Sequence, residues 1–152
     1  MKPFQFKLAA LLTIRQKEEQ AKLELYAKAM QTRQVALEAR NAVERAVEVL
    51  RDEVRQSMRL GCSANVLSQF QGYGLRLSDD LRAANERLAA TERSLAAALG
   101  QLQVARRGRE TVEKFQERER AVYDREVLVE EQKLLDEMAL RRIGSRVGFA
   151  AS

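Results

Sequence analysis

A chain of 152 residues with 27 Lys+Arg against 22 Asp+Glu, a net charge of +5, is one mildly basic domain in length. It has no histidine, one cysteine, one proline and no tryptophan. That excludes imidazole catalysis and imidazole metal sites, a disulfide framework, a thiolate zinc cluster and a turn-rich sandwich or barrel. The remaining wealth of Ala, Leu, Glu, Arg and Gln is the composition of long helices.

The N-terminal stretch, Met1 to Leu12 (MKPFQFKLAALL), lacks the uninterrupted apolar run of a signal peptide. The longest apolar run elsewhere, Leu95 to Leu99, is far too short to span a bilayer. A cytoplasmic, reduced protein is expected. Pro3 suits a first turn, and helix one is predicted over about 4–60. Phe4 and Phe6, with Leu8, admit two readings: an anchor for a partner, or a clasp sealing the open end of a helical pair.

Helix one carries an apolar stripe through Leu8, Leu11, Leu25, Ala29, Ala36, Ala39, Val43, Ala46 and Leu50. Between Leu11 and Leu25 a strict 3.5-residue seam would use Arg15, Glu18 and Lys22. A shifted seam through Ile14 and Ala21 is the expectation there, with local unwinding of the supercoil. A turn is predicted at about 61–65, within Arg59 to Asn65 (RLGCSAN). Gly61 suits a left-handed helix end, and Ser63 or Asn65 the next N-cap. Cys62 sits in that turn with no neighbour to lower its pKa, and reads as an unimportant small residue.

Helix two is predicted over about 65–142. Alternating steps of three and four from Leu67 pass through Phe70, Gly74, Leu77, Leu81, Ala84, Leu88, Thr91, Leu95, Ala98, Leu102, Ala105, Arg109 and Val112. All but Gly74, Thr91 and Arg109 are apolar, which defines one narrow stripe. Tyr73 lies off the stripe. The final segment, 143–152, loses the charge pattern, contains two glycines and is expected to be a flexible tail.

The fold class expected is therefore all-α: a long antiparallel two-helix coiled-coil hairpin with unequal arms, a single unit over 1–142. With the turn near Ser63, residues whose numbers sum to about 126 face each other, so Phe4 meets the region of Val122. Tyr123 to Arg142 is left without cover from helix one, an overhang of roughly 30 Å at 1.5 Å per residue. Its Val127, Leu128, Leu134, Leu135, Met138 and Leu140 must be buried against something else or stay exposed.

The acidic residues Glu117, Glu119, Asp124, Glu126, Glu130 and Glu131 alternate with Arg118, Arg120, Arg125 and Lys133. This is the spacing of i,i+4 ion pairs on a solvated helix, not of acid/base chemistry. Arg106, Arg107 and Arg109, with Arg141, Arg142 and Arg146 further on, come without an aromatic platform or a nucleic-acid motif. Docking to an acidic protein surface fits the C-terminal arginines better. No catalytic constellation and no cofactor site is read here, so no enzyme is expected.

Three stretches resemble the FliJ family of the flagellar type III export apparatus. They are Lys2 to Leu25 (KPFQFKLAALLTIRQKEEQAKLEL), Ser68 to Leu81 (SQFQGYGLRLSDDL) and Glu130 to Arg142 (EEQKLLDEMALRR). The resemblance implies an antiparallel coiled coil like the stalk subunit of rotary ATP synthases, related to injectisome stalk proteins. It implies a rod that enters the hexameric export ATPase, promotes its assembly and turnover, binds the export gate membrane protein and escorts export chaperones. The ATPase-facing residues would be Gln132, Lys133, Asp136, Glu137, Arg141 and Arg142. The gate-facing residues would be Tyr73, Leu77, Asp80 and Leu81. A cytoplasmic protein, peripheral at the inner face of the cell membrane and monomeric alone, follows from the same resemblance. The competing class is a structural coiled coil that self-associates or scaffolds other proteins.

Overall fold

The computed structural model describes residues 2–149, with side chains through Ser145. Two helices account for nearly all of it: α1 (Ala9–Leu60, 52 residues) and α2 (Ala64–Phe149, 86 residues). Gly61, Cys62 and Ser63 join them. Gly61 takes φ of +80°, a left-handed conformation that costs glycine little and other residues more. The Val66 N–H donates to the Ser63 hydroxyl at 3.3 Å, so Ser63 is the N-cap of α2. The result is a hairpin with unequal arms.

Both outer boundaries differ from the sequence-based expectation. α1 begins at Ala9, not near residue 4, and residues 2–6 carry no helix. In an extended strand residues two apart share a side, whereas in a helix they diverge by about 200°. Phe4 and Phe6, two apart, both meet α2, at Tyr123 and at Phe115. Pro3 therefore sits in this strap and not in a first turn. At the other boundary α2 does not stop at 142 but continues to Phe149. A single Gly144 costs about 1 kcal/mol in a helix, which is not enough to end one by itself. Residues 150–152, part of the expected tail, lie outside the described residues.

The chain divides into two units. The first is Glu18–Ala105 and contains the turn. Its core is a narrow seam in which Ala36, Leu50, Leu77 and Leu102 are buried. The side chain of Leu50 approaches to 3.5 Å of where a Cβ on Gly74 would stand, so a small residue there lets the helices close up. Three basic residues of α1 mark the pairing. Lys22 Nζ donates to Gln101 Oε1 at 3.2 Å, Arg33 Nη2 to Glu92 Oε1 at 3.4 Å, and Arg40 Nε to Asn85 Oδ1 at 3.1 Å. Arg33–Glu92 and Arg40–Asn85 each fall within one residue of the expected pairing rule.

The second unit is Met1–Lys17 with Arg106–Ser152. Val112 is buried there, and the Arg15 side chain lies 3.6 Å from a Cβ position on Gly108. Arg109 pairs with Glu113 one turn on.

The α2 stripe is as expected: from Leu67 to Val112 each position named above is buried or half-buried. The α1 seam is corrected. Ile14, Ala21, Leu25 and Ala39 are exposed, and so is Glu18 of the strict seam; the less exposed positions instead run through Arg15, Glu19, Lys22, Tyr26, Ala29, Arg33, Ala36, Arg40, Val43, Val47 and Leu50. Long basic side chains can occupy a seam because their methylene stems cover apolar surface while the charged heads reach water.

Candidate docking surfaces

The strap closes one face of α2. The ring of Phe4 stacks at 5.5 Å on that of Tyr123, and Phe6 lies 6.2 Å from Phe115, both tilted. The Arg120 guanidinium sits 5.2 Å over the Phe4 ring. The Tyr123 hydroxyl donates to the Lys2 carbonyl at 2.7 Å. Phe4 and Phe6 therefore form a clasp, and both are half-buried. Pro3, Phe4, Phe115, Val122 and Tyr123 wall an open groove beside it.

Beyond the clasp, cover ends. Tyr123 is shielded by the strap and Val127 is half-buried, so the bare segment starts five residues later than Tyr123, at Leu128. From there through Ser145 every side chain is exposed. Leu128, Val129, Leu134, Leu135, Met138, Leu140 and Ile143 are among them. This stretch of helix exposes apolar side chains over much of its circumference, interleaved with charges of both signs.

The six residues expected to face the ATPase all lie on this spike. They do not share one face. Lys133, Glu137 and Arg141 follow at i,i+4 and form one row, Gln132 and Asp136 form the neighbouring row, and Arg142 lies off both. A partner that contacts all six must surround the helix. Nearer the clasp, Arg120 Nε pairs with Asp124 at 3.1 Å across one turn, in the solvated manner expected for this charged stretch.

The residues expected to face the gate are in the turn-containing unit. Tyr73 is 47 % exposed, Asp80 is exposed and Leu81 is half-buried. Leu77 is not available at the surface: at 7 % exposure it is a seam residue. Tyr73 and Asp80, at i and i+7, lie on one side of the seam position that Leu77 fills.

Sequence reasoning missed the basic row Lys22, Arg33 and Arg40. Its signal was available in the heptad spacing of Arg15–Lys22 and Arg33–Arg40, hidden because charged residues were not scored as seam formers.

Two long helices with a narrow seam and a bare extension of the longer one define a helical hairpin of the coiled-coil class. The chain matches the family described as Flagellar FliJ protein over residues 4–148, and it belongs to that family. A solved structure described as a YscO homolog, CT670 from Chlamydia trachomatis, is similar in fold. The TM-score is 0.56 at 15% identity, with 95% of each chain covered. No curated protein sequence matches the chain.

Proposed function

We propose that this chain is a non-enzymatic stalk of the flagellar type III export apparatus. Its bare α2 spike seats within the hexameric export ATPase and promotes the assembly and turnover of that ring. The patch of Tyr73, Asp80 and Leu81, beside the seam at Leu77, contacts the cytoplasmic part of the export gate membrane protein. Export chaperones are further partners, and the protein works in the cytoplasm at the inner face of the membrane. Membership of the FliJ family supports the reading. The observation that carries it is the run from Leu128 to Ser145 in which every side chain is exposed.

The mechanism follows from the distribution of the spike's side chains. Gln132, Lys133, Asp136, Glu137, Arg141 and Arg142 point around the helix, so a ring meets a different row from each side. One asymmetric rod cannot satisfy identical subunits equally. It binds some conformations better than others, and the difference is a coupling free energy between rod binding and nucleotide state. Replacing Gln132, Lys133 and Asp136 together with alanine is expected to reduce ATPase stimulation while helicity stays unchanged. Undiminished stimulation would overturn the assignment.

A further inference from the structure

We propose that, when no ring holds it, the bare spike pairs antiparallel with the spike of a second copy of this chain, in a register set by Glu131 and Arg141. Alternating steps of four and three from Val127 pass through Glu131, Leu134, Met138, Arg141 and Ser145. These positions lie on one narrow stripe of the helix. The stripe is apolar in the middle, acidic on the side nearer the hairpin and basic on the other. Leu134 and Met138 are both more than half exposed, at 58% and 56%.

A stripe of that order is complementary to itself only when reversed. Antiparallel pairing about a point between Leu134 and Met138 sets Leu134 against Met138 of the partner subunit, twice. It also sets Glu131 against Arg141 of the partner subunit, twice. Leu135, one step to the side and exposed, comes beside its own copy at the dyad. Parallel pairing would instead oppose Glu131 to Glu131 and Arg141 to Arg141, which like charges disfavour. The strap bounds the contact, because Phe4 already occupies the helix at Tyr123. What remains, Val127 to Ser145, is roughly 28 Å of helix.

So short a contact makes a weak dimer. Glu137 weakens it further by nearing its own copy on the outer flank, where only Lys133, one turn back, offsets it. The dimer therefore forms at high concentration and dissolves on dilution, which departs from the expectation of a chain monomeric alone. Pairing would cover Arg141, Leu134 and Leu135, so a free spike hides its own apolar surface until a stronger partner competes for it. The inference concerns the free chain and stands whether or not the ring reading holds.

Sedimentation velocity on the full chain over a concentration series tests it. The unaltered chain is expected to shift from monomer to dimer. Glu131→Arg and Arg141→Glu, made singly, are expected to raise the dissociation constant about tenfold or more. The double variant E131R/R141E is expected to restore dimerisation, because it reverses both members of each pair. Leu60→Ser, at an exposed position beside the turn, is expected to change nothing. These are exposed positions, so the fold does not depend on them. A chain that stays monomeric to its solubility limit overturns the proposal. So do single variants that dimerise like the parent, a double variant that fails to recover, or a dimer lost in Leu60→Ser. Because the readout is mass, none of these results bears on ATPase stimulation.

Discussion

The Tyr123 hydroxyl hydrogen-bonds the Lys2 carbonyl at 2.7 Å across 121 residues of sequence. With Phe4 stacked on the same ring, this ties the N-terminal strap to the base of the spike. Phe4→Ala removes the ring contact and the seat of the Arg120 guanidinium together. Lys7 is already exposed, and release of the strap is expected to free the backbone around it and speed tryptic cleavage there several-fold. The whole chain should lose only about 1 kcal/mol, the scale of one partly exposed aromatic pair.

Arg40 and Asn85 offer a measurable cross-helix pair. Both are polar and reached by water, so a double-mutant cycle with alanine is expected to give a coupling of about 0.5 kcal/mol. Arg40→Ala alone should cost more than that coupling, because the methylene stem lost from the seam is a separate term. Urea unfolding of the four proteins separates the two contributions.

The turn rests on two residues with different jobs. Gly61→Ala forces a Cβ into a left-handed backbone and is expected to cost about 1 kcal/mol. Ser63→Ala removes the acceptor for the Val66 N–H and is expected to cost about 1 kcal/mol as well. Thermal melts of each variant check this, and Cys62→Ser should melt with the parent.

Leucines of the seam and of the spike should behave oppositely. Leu102, 5 % exposed, and Leu77 fill the seam, so alanine at either is expected to cost roughly 2 to 3 kcal/mol. Leu135→Ala on the bare helix should leave the unfolding midpoint unchanged. Equal losses at both kinds of site would mean that the spike is covered within its own chain.

Much of this architecture is legible in the sequence because it depends on periodicity. The α2 stripe reads directly, since Leu recurs at Leu67, Leu77, Leu81, Leu88, Leu95 and Leu102. The turn reads from Gly61 and Ser63, whose backbone roles few residue types fill. The α1 seam does not read, because Lys22, Arg33 and Arg40 cover it with their stems, and hydropathy ranks these residues by their charged heads. The strap is misread as helix because its signal is tertiary: Phe4 and Phe6 need Tyr123 and Phe115 opposite them. The spike was visible in arm length alone, although the strap shortens it at Tyr123. Leu77, 7 % exposed, fills the seam, a placement that its position on the α2 stripe makes legible.

The central claim is that the bare spike is the surface by which the rod engages the export ATPase. The most direct measurement is binding of the cognate ATPase to the full chain and to a variant with Leu134, Leu135 and Met138 replaced by serine. The parent is expected to bind, and the variant to lose binding while its helicity and melting midpoint stay those of the parent. Equal binding by the two proteins would contradict the account.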